Sequence, residues 1–131
     1  MTVIALAQLS AGDDRDHNLD KALETMHRAA DRGAQLVVFP ELAVDRFFPQ
    51  YRAQGAARPH AEPIPGPTTD RVAALAAELS LVTVFNLYEV DDAGRTFDSS
   101  PVIDADGQLL GVTRMVHITQ YACFYLSLIH I

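Results

Sequence analysis

The sequence of 131 residues lacks features that mark several classes of protein. Its single cysteine, Cys123, cannot form a disulfide within the chain, so we expect a reducing, cytoplasmic setting. The 10 Lys and Arg residues form no cluster and are outnumbered by 17 Asp and Glu, which argues against nucleic acid and anionic membranes as partners. No apolar run approaches the roughly 20 residues that span a bilayer, and no basic region typical of a signal peptide precedes the first apolar segment.

What is present is the composition of an ordinary globular domain, with 49% apolar and 21% charged residues. The apolar run from Val3 to Leu9 predicts a strand covered on both faces. Apolar residues at helical spacing predict a helix from Asp16 to Arg32, ended by Gly33, and Ala34 to Phe39 predicts a second strand. Strand, helix and strand with short joints predict a βαβ unit, and therefore an α/β fold with parallel strands.

The second half of the chain begins with a proline-rich stretch over residues 44–67, which predicts a long loop. A second helix is predicted to start at Thr68 or Thr69, either of which could cap it. Leu81 to Val90 predicts a third strand, followed by a hairpin-like pair over 100–103 and 109–117.

Glu41 closes the most informative stretch, Val37 to Glu41. The apolar run predicts a buried strand that Pro40 ends, because proline cannot donate to a strand ladder. Glu41 then lies at the carboxyl end of a strand, where open α/β sheets place their ligands. From these residues alone, Glu41 is either a general base or a solvated loop glutamate.

Several motifs in a fixed order resemble the amino-terminal half of a carbon–nitrogen hydrolase of the nitrilase superfamily. The resemblance covers residues 3–125, as amino-terminal part of one domain. It is carried by Ile4–Gln8, Asn18 with Gly33–Ala34, Phe39–Glu41 and Gly111–His117, with support from Ile64–Pro67, Glu89 and Thr96–Gly107.

The resemblance implies a layered αββα-type nitrilase fold, of which this chain supplies about the first half, and a homo-oligomer when complete. It also implies hydrolysis of an amide, nitrile or carbamoyl compound without a cofactor or metal. In that chemistry a cysteine attacks the carbon, a glutamate takes the thiol proton and a lysine stabilises the intermediate. Glu41 matches the glutamate.

The lysine position of the family pattern is occupied by Met115, which cannot supply a cation. Either a subgroup works with different electrostatics, Arg114 compensates, or the protein is not catalytic. Compensation by Arg114 requires a bulge, because adjacent residues of a strand point to opposite faces.

The remaining candidates have weaker functional patterns. Cys123 follows His117 by six residues, earlier than the family's nucleophile, and predicts a buried, inert thiol; the nucleophilic cysteine is expected beyond this chain. Glu89 is either a hydrogen-bonding support for Glu41 or a solvated acid at a strand end, and His117 is expected to orient the local backbone. Residues 126–131 resemble translated sequencing-adapter DNA, which predicts a non-native tail.

Two functions remain open from the sequence within the family. The first is hydrolysis of a carbon–nitrogen bond by the full-length protein, with the present chain an inactive and marginally stable fragment. The second is a non-catalytic homologue with a binding or assembly role. A plain βαβ ligand-binding module is disfavoured, because no glycine-rich phosphate loop follows the first strand.

Overall fold

The computed structural model describes residues 1–51 and 60–117, which form one mixed sheet flanked by helices. In chain order the elements are β1 (Ile4–Leu6), α1 (Arg15–Asp31), β2 (Leu36–Val38), a 3₁₀ turn (Phe48–Gln50), α2 (Pro67–Leu79), β3 (Val82–Val84), β4 (Leu87–Val90), β5 (Thr96–Ile103) and β6 (Leu109–Arg114). Strands β1, β2 and β3 are parallel, which confirms the predicted βαβ connection. β5 runs antiparallel to β3, β4 and β6.

Both helices begin at sequence signals that satisfy their first backbone N–H groups. The side chain of Asp14 accepts a hydrogen bond from the backbone N–H of His17 at the start of α1. Helix α2 begins at Pro67 with Gly66 as its N-cap, so the prediction that a threonine occupies this position was wrong. Thr69 instead contributes from inside the first turn, where its hydroxyl accepts from the backbone N–H of Gly66.

Gly66 is buried where the chain enters α2, and this position leaves no room for a side chain. A Cβ atom there would lie 2.2 Å from the carbonyl oxygen of Pro63. We expect Gly66→Ala to lower the free energy of unfolding by about 2 kcal/mol, because the backbone must shift to relieve the overlap. Urea unfolding followed by circular dichroism measures this loss. The matched control is Gly111→Ala, where nothing lies within 4 Å of the added Cβ; equal stability of the two variants would contradict the packing argument.

The predicted third strand from Leu81 to Val90 is interrupted in the structure. Phe85 and Asn86 separate β3 from β4, and the two strands pair one after the other along β5. The side chain of Asn86 donates to the carboxylate of Asp98 and to the hydroxyl of Ser100. The interruption therefore places the side chain of Asn86 against Asp98 and Ser100 of β5.

The sheet is covered unevenly by the described residues. Val37 and Thr83 are fully buried on the face that packs against the helices. On the other face of β1, Ile4 is 55% exposed and Leu6 is 79% exposed. The prediction that this strand is covered on both faces was therefore wrong for the described part of the chain, because α1 and α2 pack together on the same side. In the described ranges no helix is long and apolar enough to cross a membrane.

The described part of the predicted 44–67 loop is anchored by charge. Arg15, at the start of α1, contacts Asp45 at 3.3 Å and Glu62 at 2.5 Å between side-chain nitrogen and oxygen. Both acids are buried, and the guanidinium compensates the charge of both; Asp45 also has His60 as a neighbour, with Nδ1 3.7 Å from its carboxylate. Glu62 also pairs with Glu89 through the backbone, which attaches the loop to β4.

Candidate active site

A cavity of about 330 Å³ opens next to the carboxyl ends of β2 and β3. Its walls come from four strands and the segments that follow them. The lining residues are Val38, Phe39, Glu41, Val84, Asn86, Asp98, Ser100, Thr113 and Met115. The cavity thus combines an apolar floor with a small number of polar groups, as ligand sites commonly do.

Strand register determines which side chains of β5 and β6 face this cavity. Ser100 pairs with Thr113, and the backbone N–H of Met115 donates to the carbonyl of Asp98. Directly opposed residues of an antiparallel pair share a face, and residues two apart on a strand do as well. Asp98 and Met115 are therefore neighbours on the cavity face, together with Ser100 and Thr113.

The loop after β2 carries Glu41 to the cavity, and Asn86 holds this loop in place. The side-chain oxygen of Asn86 accepts a hydrogen bond from the backbone N–H of Leu42 at 2.6 Å. The backbone carbonyl of Asn86 accepts a second one from the backbone N–H of Ala43 at 3.1 Å. Leu42 adopts a φ of 50°, a left-handed conformation that is unfavourable for a leucine. Such conformations persist where surrounding contacts impose them and are concentrated at functional sites.

The environment of Glu41 raises its pKa from 4.5 to about 7. Glu41 is exposed as a residue, but partial removal of its carboxyl group from water is the largest cause, because it disfavours the charged form. The carboxyl group of Asp98 acts in the same direction, because protonated Glu41 can donate a hydrogen bond to it and because its charge repels an ionised Glu41. A carboxylate with a pKa near neutrality is well matched to accepting a proton at physiological pH.

Glu89 and Arg114 lie on the opposite face of the sheet from this cavity. Glu89 is 5% exposed and accepts hydrogen bonds from the Arg114 guanidinium and the Ser99 hydroxyl. Burial opposes ionisation of Glu89, but the bonds from Arg114 and Ser99 outweigh it and lower the pKa of Glu89. The guanidinium also lies over the ring of Phe97, 4.0 Å from its centroid. Glu89 is thus neither a solvated acid nor in contact with Glu41.

The same register separates Arg114 from Met115, the residue at the lysine position of the family pattern. Arg114 pairs with Ser99, one position away from the cavity face, and the register irregularity of this strand pair lies at 102–103. Met115 lines the cavity, whereas Arg114 is bound to Glu89 behind it. Among the described residues that line the cavity, none is a lysine, arginine or histidine.

The remaining candidates do not contribute to this cavity. His117 is exposed beyond the end of β6 and is not one of the lining residues. Cys123 and residues 126–131 lie outside the described residues. Within residues 1–51 and 60–117, no cluster of three or more His, Cys, Asp and Glu side chains could hold a metal ion.

Two residues of the site were missed by sequence reasoning. Asp98 lies within the motif Thr96–Gly107, and Asn86 lies within the predicted strand from Leu81 to Val90. Neither residue was predicted as part of a site. The available signal for Asn86 was a polar residue within the mostly apolar segment 81–88, because a buried polar side chain requires a partner; the polar stretch 98–100 carries no such signal for Asp98. Asn86 is 8% exposed and Asp98 2% exposed, and they are hydrogen-bonded to each other.

Comparison by sequence and comparison by structure both relate this chain to hydrolases of carbon–nitrogen bonds. The family model for carbon-nitrogen hydrolases matches residues 3–125. The omega-amidases NIT2 of Xenopus tropicalis and Homo sapiens are each 29% identical over 119 residues, covering 88% of this chain and 40% of theirs. The chain therefore spans less than half the length of these relatives.

Solved structures of two hydrolases superimpose on most of the chain. A carbon-nitrogen hydrolase from Helicobacter pylori G27 matches 99% of this chain and 44% of its own, with a TM-score of 0.80 and 20% identity. A double mutant of the amidase from Nesterenkonia sp. AN1, in complex with acrylamide, matches 92% of this chain and 46% of its own, with a TM-score of 0.73 and 25% identity. The fold is thus a partial nitrilase-type α/β fold. This chain belongs to the carbon-nitrogen hydrolase family.

Proposed function

We propose that the complete protein hydrolyses the carbon–nitrogen bond of a primary amide, and that Glu41 is its general base. The observation that carries this proposal is the position of Glu41: it follows β2, faces a cavity, and has a pKa raised to about 7. The relatives named as amidases support an amide over a nitrile or a carbamoyl compound. The family resemblance adds that the complete protein forms a homo-oligomer.

The proposed chemistry uses Glu41 twice. In the first step its carboxylate takes the proton of a cysteine thiol while sulfur forms a bond to the amide carbon. The resulting carboxylic acid then gives this proton to the amide nitrogen, the carbon–nitrogen bond breaks, and ammonia leaves an acyl-enzyme. Water then attacks the thioester carbon while Glu41 takes a proton from the water. The carbon–sulfur bond breaks, the cysteine sulfur regains the proton, and a carboxylic acid is released. The resemblance places the cysteine in the part of the protein that follows this chain.

A non-catalytic homologue is the second candidate, and Met115 favours it. This side chain lines the cavity at the family's lysine position, so the described walls offer no cation to an anionic intermediate. Such a protein would bind its ligand in the cavity without turning it over.

Substitution of Met115 by lysine distinguishes the two candidates. We expect the full-length wild-type protein to release ammonia slowly from short primary amides, and Met115→Lys to raise kcat by about 10²-fold, since one preorganised charge stabilises a developing oxyanion by that order. Val116→Lys is the matched control, because Val116 is 77% exposed and is not a lining residue. If neither the wild type nor Met115→Lys releases ammonia, the result favours the non-catalytic homologue.

A further inference from the structure

The carboxyl group of Asp98 lies in the cavity wall with an unsatisfied oxygen. Asp98 is 2% exposed, and one of its oxygens accepts from the side-chain amide of Asn86. Its other oxygen, Oδ2, is buried and has no hydrogen-bond donor among residues 1–51 and 60–117. A buried acceptor without a donor is costly, and an ionised one more so.

Glu41 is the group that can satisfy this oxygen. Glu41 and Asp98 line the same cavity, and the carboxyl group of Asp98 contributes to the raised pKa of Glu41. Two ionised carboxylates are both acceptors, so they repel each other and leave the Asp98 oxygen unpaired. One proton held between them converts the repulsion into a hydrogen bond, as in other pairs of neighbouring carboxyl groups.

Glu41 and Asp98 are the two acidic residues among the described residues that line the cavity. The described lining residues from β2, β3, β5 and β6 are otherwise apolar or neutral. The ion pair between β4 and β6, Glu89 with Arg114, points to the opposite face and is internally compensated.

We propose that Asp98 is a positioning residue for Glu41: the two side chains share one proton, and the fixed carboxyl group of Asp98 orients the base and makes it more basic. The catalytic consequence rests on the function proposed above, whereas the sharing of the proton does not. When the shared proton leaves, the charge of Asp98 increases the tendency of Glu41 to take up a thiol proton.

The proton shared by the pair predicts a specific dependence of stability on pH. The folded-state pKa of Glu41 is raised to about 7 from 4.5, so its stabilising contribution is fully present below pH 4.5 and is lost as pH rises through 7. The urea midpoint of the 131-residue chain is therefore expected to fall between pH 5 and 8, in addition to the contribution of other groups. Asp98→Asn makes this part of the fall smaller, because the asparagine amide can donate to an ionised Glu41, whereas the effect of burial on Glu41 remains. Asp92→Asn, an exposed site in a turn, retains it.

Carbon-detected NMR of the glutamate side chains gives a second readout. In Asp98→Asn the pKa of Glu41 is expected to fall below the wild-type value of about 7 but to stay above 4.5, because burial, the largest cause of its elevation, remains. If Asp98→Asn does not fold, the same NMR titration of the wild type serves, because a shared proton makes the side-chain carboxyl carbons of Glu41 and Asp98 shift together with pH.

Equal pH dependence of the urea midpoint in the wild type and Asp98→Asn would overturn the proposal. An unchanged pKa of Glu41 in a folded Asp98→Asn variant would do the same. Neither readout requires turnover, so an inactive full-length protein with a normal Asp98 effect would refute only the proposed function. An active protein whose Glu41 titrates independently of Asp98 would refute only the present inference.

Discussion

Glu41→Gln is expected to lower kcat of the complete protein by about 10²–10⁴-fold, the range that a positioned general base contributes. The substitution keeps the size and the hydrogen-bonding ability of the side chain but removes its capacity to accept a proton. The thiol then has no base in the cavity, because the described lining offers only Asp98, which is enclosed by Asn86 and β5. Steady-state ammonia release at pH 7–8 measures the loss.

The appropriate control for this variant is Glu24→Gln, on the exposed side of α1. It makes the same change in charge and composition far from the cavity, and we expect its kcat to match that of the wild type. A Glu41→Gln variant that retains folding and loses less than about threefold in kcat would remove Glu41 from the mechanism.

Glu89→Ala is expected to lower the free energy of unfolding of the chain by about 3 kcal/mol, at the lower end of the range for a broken buried ion pair. The change strips the partner from the Arg114 guanidinium and from the Ser99 hydroxyl, which is fully buried. Arg114 keeps 41% of its side chain exposed and can turn to water, which limits the cost. In a marginally stable chain this loss removes the cooperative thermal transition followed by circular dichroism.

Asp20→Ala provides the comparison for Glu89→Ala. It breaks the surface pair of Asp20 with Arg71, in which the two side chains are 64% and 49% exposed. A pair in this environment contributes less than about 1 kcal/mol, so the thermal transition should persist. If both substitutions have the same effect, the Glu89–Arg114 pair does not stabilise the attachment of β6 to the sheet.

The elements of the fold that follow from local periodicity could be predicted from the sequence. Both helices and the parallel β1–β2 pair are recognisable because their apolar spacing reflects burial against one core. The break at Phe85 and Asn86 could not be predicted, since the apolar pattern is compatible with a single strand. Its cause is tertiary: Asn86 bonds to the Glu41 loop on one side and to Asp98 on the other.

The coverage of β1 shows a different limit of the sequence. Ile4 and Leu6 are apolar as in a strand buried on both faces, yet both are exposed among the described residues. The apolar pattern indicates that β1 is suited to pack on both faces. It does not indicate which residues cover the second face, and the chain spans 40% of the length of the omega-amidases it matches. Helix periodicity can place α1 and α2 on the sheet but cannot state what covers its other face.

Within the site, Glu41 could be predicted from its position after a strand and from a family motif, but its electrostatic environment could not. Asp98 follows Glu41 by 57 positions in the sequence, and only strand register brings their carboxyl groups together. The separation of Arg114 from Met115 was accessible, because strand alternation alone indicates opposite faces. The ion pair of Arg114 with Glu89 required the pairing of β4, β5 and β6.

The pH dependence of kcat/KM for amide hydrolysis by the complete protein, compared between the wild type and Glu41→Gln, tests the role of Glu41 most directly. We predict that kcat/KM of the wild type rises with pH through about 7, as the carboxyl group of Glu41 loses its proton. The residual activity of Glu41→Gln should lack this rise. An unchanged rise in Glu41→Gln, or the absence of any ammonia release by the wild type, would contradict the assignment of Glu41 as the base of a carbon–nitrogen hydrolase.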